Sequence, residues 1–397
     1  MKVRVSQFLV FVNLLYLTFF PTYIFSDKPN LGQAILFLSF PVFVFFQVGF
    51  RDFKLKMNSI ILVFWIVGAV LVFTSISKFS FISFNMMMNH VRILVYSIVI
   101  ALSYSLFEKY EVSHYDLKKA LKLLVIPVFI FVLFQFILPG NPIEHAITRK
   151  PAFDYTGFRI GGPFDWSYVC SFVLLPIFFI SLNDLLSKFS LYDFFVFLVS
   201  FVFIVLSQSK SAYLALVVGM FIYLLVNVFY SKYVGRLILF LSLGSLLLFS
   251  YVVSNAEDFH HLFNFFENVS RGTVDGSTLT RLRQISISLD LLSNNYFFGY
   301  PKLDMVIENS YFYYLYYHGF VGLLAYLFFV LSMIFFSFRG LRNSVDNRSL
   351  QIGILILCCS IVFFGASASI TDANKSSYFL YFILGGYMSI LNRGRVQ

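Results

Sequence analysis

Residues 254–306, SNAEDFHHLFNFFENVSRGTVDGSTLTRLRQISISLDLLSNNYFFGYPKLDMV, and the run that follows at 307–322, IENSYFYYLYYHGFVG, decide how this chain is built. Nowhere else do so many polar residues lie together, and strongly apolar sequence closes on both sides. A loop of this length inside a compact chain is usually functional. Its middle has order of its own: Leu282, Ile285, Leu289 and Leu292 recur at spacings of 3, 4 and 3, the signature of an amphipathic helix. Arg281 flanks that stripe, whereas Arg283, about 200° further round at roughly 100° per residue, points the other way. The stretch reads as a polar loop with a surface helix, leading near residue 310 into a membrane-crossing segment. A reaction site is expected where the two meet.

Composition supports that frame. The chain is 59% hydrophobic and 12% charged, with a mean hydropathy of +0.83. A soluble domain carries about 25% charged residues, so secreted and cytosolic globular classes fall away. The net charge of +10 would suggest nucleic acid in a soluble chain. Here it reads as the cytoplasmic Lys/Arg bias of a membrane protein, with no nucleic-acid partner. The three cysteines, Cys170 and the adjacent Cys358 and Cys359, lie in apolar sequence without C-x-x-C spacing, and read as small packing residues. Lys2 and Arg4 precede an apolar run to Phe25 that is too long for a signal peptide and lacks a small-x-small cleavage site, so it reads as a first span.

Crossing the hydrocarbon core takes about 20 apolar residues. That measure predicts about 12 spans near 6–25, 32–50, 58–77, 90–107, 119–138, 166–182, 191–207, 212–230, 237–253, 311–337, 350–371 and 376–391. With the N-terminus inside, 17 of the 29 basic residues fall on cytoplasmic segments. The short outer loops hold only Lys28, Lys78, Lys210 and Lys375. That bias puts both termini in the cytoplasm and two long loops, 139–165 and 254–310, on the outer face of a single polytopic domain covering 1–397. The tyrosines at 311, 313, 314, 316 and 317 sit where a span starts, which reads as an interfacial aromatic belt, with sugar stacking as the alternative.

Several chemistries are excluded by their missing motifs. There is no phosphate loop, no H-E-x-x-H, no G-x-S-x-G and no Asp-x-Asp, and the six histidines lack metal-ligand spacing, so no metal or cofactor is expected. Outer-face cations remain: Arg149, Lys150 and Arg159 in the first loop, Lys210 in the turn SQSKS, and Arg271, Arg281, Arg283 and Lys302 in the second. Arg92 lies near the end of a span. A charge this close to hydrocarbon is costly and usually has a partner or a task. Arg159 precedes Gly161-Gly162-Pro163, a turn able to bring backbone N–H groups to an anion. Glu308 stands at the start of a span, where the helix N-terminus favours an acid whether or not it reacts.

Four segments in order resemble the O-antigen polymerase and O-antigen ligase superfamily of bacterial membrane glycosyltransferases. FRIGGPF resembles the family's Arg-x-x-Gly-x-Phe, with Arg159 as its arginine and Trp166-Ser167 where Pro-Asn often follows. LSQSKSAYLAL is similar to a Ser-Arg turn opening a helix, with Lys210 in place of arginine. TRLRQISISLDLLSNNYFFGYP resembles the family's arginine, amphipathic helix and glycine, pointing to Arg281 and Gly299. Arg283 competes because it fits an Arg-x15-Gly spacing. ENSYFYYLYYHGFVG matches the ligase signature His-Asn-x9-Gly-x-x-Gly through Asn309, Gly319 and Gly322, except that Glu308 takes the histidine position.

The resemblance implies an all-α, GT-C-like helix bundle in the bacterial inner membrane. It implies a metal-independent polymerase joining polyprenyl diphosphate-linked oligosaccharides on the periplasmic face, and the replacement of histidine by Glu308 leans that way. Membrane lipids, a chain-length regulator and a flippase are the partners it implies. Arg159 and Arg281 would hold diphosphate with Glu308 as the catalytic base; Arg283, Lys210, Asn309 and Arg92 would bind substrate. The alternatives are a ligase acting on lipid A-core and a flippase or transporter. A transporter calls for ionisable residues deep in several spans, and only Arg92 approaches that.

Overall fold

The computed structural model describes residues 4–24, 29–53, 59–76, 84–148, 153–154, 157–228, 250, 254, 270–271, 273, 276–292, 296–300, 307–343, 348–368, 370–371 and 374–393. Among these the chain forms thirteen helices and one two-stranded ladder. In order they are α1 (Val5–Phe19), α2 (Pro29–Val48), α3 (Ser59–Ile76), α4 (Phe84–Lys109), α5 (His114–Ile137), α6 (Pro142–Ile147), β1 (Phe153–Asp154), β2 (Gly157–Phe158), α7 (Ser167–Ser187), α8 (Leu191–Leu206), α9 (Lys210–Val228), α10 (Gly276–Leu292), α11 (Ser310–Asn343), α12 (Arg348–Gly365) and α13 (Asn374–Arg393). Six of them contain apolar windows long enough to cross a membrane: Leu31–Val48, His114–Ile137, Ser167–Ser187, Lys210–Asn227, Ser310–Leu341 and Arg348–Gly365. The protein is a polytopic membrane helix bundle. Eleven of the expected spans fall on helices; the one at 237–253 lies outside the described residues, apart from position 250.

The chain divides into two compact units. The first comprises Met1–Leu36, Tyr115–Asp275 and Ser344–Ser360. Its centre is α7, apolar all round and buried from Val169 to Leu182, as a helix without a polar face must be. Phenylalanines interlock around it. Phe178 stacks on Phe197 at 5.0 Å, and Phe129 meets Phe195 edge-on at 5.4 Å. At one end Lys122 is buried between two carboxylates, Asp184 and Asp193, and Lys118 reaches Asp184 at 3.1 Å. Elsewhere Asp165 accepts hydrogen bonds from Thr22 Oγ1 at 3.2 Å and Gln33 Nε2 at 3.0 Å, tying the entry of α7 to the chain around α1 and α2.

The second unit comprises Phe37–His114, Gly276–Asn343 and Ile361–Gln397. Here α4 and α13 run side by side, and α3 packs on both α4 and α11. The backbones of α4 and α13 come close at Gly385, where a Cβ would stand 2.4 Å from the carbonyl oxygen of Ile100, so only glycine fits. Small residues at such crossings let backbones pack where lipid gives no hydrophobic drive. Aromatic rings fill the space between: Phe64 against Phe329 at 4.5 Å, and Tyr96 against Tyr381 at 4.8 Å and Tyr378 at 5.5 Å.

Candidate active site

In the first unit, Arg159 leaves the short β1–β2 ladder and turns onto the loop between α8 and α9. Its Nε donates to Ser207 O at 2.9 Å and an Nη donates to Gln208 O at 3.3 Å. The neighbouring Ile160 N donates to Leu206 O at 3.1 Å. The last carbonyls of a helix lack intrahelical partners, so a guanidinium is well placed there by hydrogen bonding and by the helix dipole. The turn is tight: Gln208 adopts φ 48°, and Tyr213 Oη donates back to Val205 O at 2.6 Å. Lys210 opens α9 directly after it. Arg159 and the turn carrying Lys210 are thus brought together. The Gly161-Gly162 turn differs from expectation. Both glycines are buried, with Gly162 (φ +56°) against Val128, Val132 and Cys170, because the turn closes over α5 and α7 rather than opening to an anion.

In the second unit, α10 and the start of α11 form the other corner. Arg281 Nε donates to Glu308 Oε2 at 3.1 Å, and the Glu308 backbone N–H donates to Gln284 Oε1 at 3.3 Å. Arg281 and Gln284 are three apart and so share a helix face. That pairing sets the rotation of α10. Its inner face is Arg281, Gln284, Ser288 and Leu292, while Leu279, Leu282 and Leu289 point outward at 57%, 49% and 47% exposure. The leucine stripe is therefore split: its polar edge, not its apolar centre, is turned inward by the bonds to Glu308. Arg283 is exposed on the far side from Arg281. Asn309 caps α11, its Oδ1 accepting from the N–H groups of Tyr311 at 2.9 Å and Phe312 at 3.2 Å, while its Nδ2 donates to Ala366 O at 2.9 Å. Arg92, on α4, lies over the ring of Phe37 at 5.8 Å. Among the described residues no three of His, Cys, Asp and Glu gather in a metal-ligating group.

The tyrosine run is mostly interior. Tyr314, Tyr316 and Tyr317 are buried rather than forming a belt: Tyr316 and Tyr317 pack with Ile307 and Tyr300, and Tyr314 stacks on Tyr326 at 4.3 Å. The reason is a break in α11 at Gly319, which adopts φ 65°, ψ −164°. Residues 296–300 fill that break with three backbone hydrogen bonds: Tyr300 N to Tyr316 O at 2.7 Å, Phe320 N to Tyr296 O at 2.9 Å and Val321 N to Phe297 O at 3.4 Å. Gly299 and Gly319 meet backbone to backbone; a Cβ on Gly299 would stand 2.6 Å from Gly319 N, and one on Gly319 2.3 Å from Phe297 O. Beside the break, His318 is fully buried, with Nδ1 2.6 Å from Thr74 Oγ1 of α3. The motif glycines signal this clasp in the sequence, but their spacing alone does not reveal that they touch.

These two corners carry the residues of four motifs, and the segment containing Lys210, Arg281, Glu308 and Asn309 is also where similarity to known proteins lies. Residues 195–327, from within α8 to just past the break in α11, match the family model described as O-antigen ligase. A search of curated proteins found no match. That segment, about a third of the chain, supports a likeness to the O-antigen ligase and polymerase superfamily, a family of membrane glycosyltransferase-like enzymes.

Proposed function

We propose that the protein is a surface-polysaccharide polymerase, joining polyprenyl diphosphate-linked oligosaccharide repeat units on the periplasmic face of the inner membrane, with both termini cytoplasmic. The observation that carries the reading is the Arg281–Glu308 pair at the head of α11, inside the matched segment and in the slot where ligases carry histidine. The chemistry needs a hydroxyl of the acceptor sugar to attack the donor's anomeric carbon. The new C–O bond forms as the bond to diphosphate breaks, the diphosphate leaves with the electron pair, and the hydroxyl proton passes to a base.

Glu308 is that base. Arg281 stabilises the charge developing on the leaving group; Arg159 and Lys210, in the first unit, and Arg283, on the other face of α10, are separate phosphate-binding candidates. The resting ion pair suits this division of labour. A diphosphate arriving at Arg281 competes for its guanidinium and releases the Glu308 carboxylate to the acceptor hydroxyl. Leu279, Leu282 and Leu289, turned outward on α10, give that helix an apolar face for the bilayer surface beside the lipid's head.

The family description favours one second reading, transfer of finished polysaccharide to lipid A-core. Purified protein incubated with a lipid-linked repeat unit and no other protein separates the two. A ladder of products is expected. Transfer only to added lipid A-core establishes the ligase, and neither product supports a transporter.

A further inference from the structure

The helix α11 is 34 residues long, about 51 Å at 1.5 Å per residue, whereas the hydrocarbon core of a bilayer is about 30 Å thick. Lying wholly within the core would take a tilt of about 54°, beyond the roughly 0–40° that spans adopt. Part of α11 therefore stands outside hydrocarbon, and side-chain exposure marks which part. No residue of 310–319 is exposed. From there on Phe320, Leu324, Phe328, Leu331, Phe335 and Phe338 are all exposed, at spacings of three or four, forming one continuous apolar stripe. The stripe is about 27 Å long, close to the thickness of the core. At its far end the exposed Arg339 lies over the Phe335 ring, 4.4 Å from its centroid, as a cation does where a helix leaves hydrocarbon for water.

The near end of the stripe coincides with the break at Gly319. Residues 296–300 are bonded into that break, and Tyr296, Phe297 and Phe298 are all exposed, Phe297 at 70%. α3 runs antiparallel to α11, with Phe64 against Phe329 and Thr74 against His318. Its Phe73 therefore reaches the same level, where it is 63% exposed and meets Phe298 edge-on at 6.3 Å. Four exposed aromatic rings from two segments thus gather at one height. A patch of this kind is a liability in water, whereas aromatic rings are favoured at a membrane–water interface. The backbone makes the same demand. Lipid offers no hydrogen-bond partners, so a helix broken at that depth must find them in protein, and residues 296–300 supply them to Phe320 N, Val321 N and Tyr316 O.

We infer that Tyr296, Phe297, Phe298 and Phe73 form an interfacial anchor, seated at the headgroup–acyl boundary of the leaflet nearest the head of α11, and that hydrocarbon begins at Phe320. The occupant of this surface is bilayer lipid, because the anchor continues a stripe whose length matches the core. It supplies the aromatic belt that the sequence suggested at 311–317. Glu308, twelve residues before Phe320, is thereby held on the aqueous side of the boundary, where a sugar hydroxyl can reach it. The inference needs the membrane helix bundle and stands apart from the polymerase reading.

Spin labels on the full chain in phospholipid nanodiscs test it, with no substrate and no turnover. Cysteines are added singly as Phe297→Cys, Leu331→Cys and Phe338→Cys. Cys170 and Cys358 are buried and Cys359 is half-buried, so labelled wild type gives the baseline. Relaxation by oxygen, which concentrates in hydrocarbon, against relaxation by a water-soluble nickel chelate reports depth. The Phe297 label should sit at the headgroup–acyl boundary and the Leu331 label about 16 Å deeper, eleven residues below Phe320 at 1.5 Å each. The Phe338 label should return to the boundary of the opposite leaflet.

A Phe297 label as open to the nickel chelate as an aqueous site puts the loop in water and overturns the anchor. One as deep as the Leu331 label moves the boundary away from Phe320 and overturns it equally. A label immobilised and shielded from both reagents shows that a second copy or another protein covers the patch, which also overturns it. Should Phe297→Cys fail to yield protein, Tyr296→Cys reads the same level.

Discussion

Gly319→Ala is the sharpest test of how the site is held. At φ 65°, ψ −164° this residue occupies backbone territory that is essentially glycine's alone, and an alanine there costs about 1–3 kcal/mol. The new Cβ would stand 2.3 Å from Phe297 O and 2.6 Å from Phe298 N. These are backbone atoms, so the clash is relieved only by withdrawing residues 296–300. That withdrawal breaks the three hydrogen bonds to α11, each worth about 0.5–1.5 kcal/mol. The combined loss is roughly 3–7 kcal/mol, a large share of a typical protein's stability. Two other glycines calibrate it. Gly49 has φ 76° but nothing within 4 Å of its Cβ position, so Gly49→Ala should lose only the conformational part, about 1–2 kcal/mol. Gly276, with open space and an ordinary backbone, should be near neutral. Thermal unfolding of the purified variants in detergent should rank them in that order, with Gly319→Ala lowest. Gly299→Ala should resemble Gly319→Ala, and the double variant should fall well short of additivity because both break one clasp. A Gly319→Ala protein that melts with Gly276→Ala refutes the reasoning.

Arg281→Ala and Arg159→Ala should each abolish polymer at normal protein levels, and lysine should rescue poorly because an ammonium cannot make bidentate contacts to phosphate oxygens. Arg283→Ala, exposed on the opposite face of α10, should retain polymer; the reverse pattern hands the role to Arg283 and its Arg-x15-Gly spacing. Single cysteines at Ser254 and Ser277 should react with an impermeant thiol reagent in intact spheroplasts and one at Ser344 should not, whereas labelling at Ser344 alone inverts the topology. Lys122→Met leaves Asp184 and Asp193 facing each other without their shared cation, so melting should drop by the equivalent of about 3–5 kcal/mol. Adding Asp193→Asn should recover part of it, and an unchanged melting temperature shows the cluster to be idle.

The spans were legible because crossing a bilayer is a local demand: about 20 apolar residues in a row satisfy it wherever they later pack. Their ends were not. α4 begins at Phe84 rather than near 90, and α11 runs to Asn343 rather than 337, because helix continues past the apolar run that hydropathy detects. Which way a side chain faces was also hidden. Five tyrosines at a span's head look like a belt, yet the break at Gly319 draws three of them inside, and that break depends on a contact twenty residues back in the chain. Rotation of α10 followed the same logic. Leucine periodicity identified the helix, but the bonds from Arg281 and Gln284 to Glu308 decided which face turned inward. Motif residues near one another in sequence, such as Lys210 and its turn, were found readily. The anchoring of Arg159 on the carbonyls of Ser207 and Gln208 needed coordinates.

Glu308 is the residue for which structural and catalytic roles compete most directly, because it is joined to Arg281 in either case. Magnitude separates them. The pair is a single contact at 3.1 Å, with the two side chains 28% and 49% exposed. Exposed pairs of this kind contribute about 0–1 kcal/mol, so losing one barely moves stability. The Glu308 backbone N–H keeps its bond to Gln284 whatever the side chain is. Glu308→Gln preserves shape and removes basicity; as a general base, Glu308 should lose about 10²- to 10⁴-fold in turnover on this change while the protein melts nearly as before. Glu308→His restores a base in the ligase manner and should recover partial activity. Arg281→Gln breaks the same ion pair from the other side, so it supplies the control for stability. If Glu308 only braces α10 against α11, Glu308→Gln and Arg281→Gln should lower yield and melting temperature alike, with turnover per folded molecule near normal for Glu308→Gln. That pattern, measured on purified protein, removes Glu308 from the reaction and leaves the base to be sought elsewhere at the head of α11.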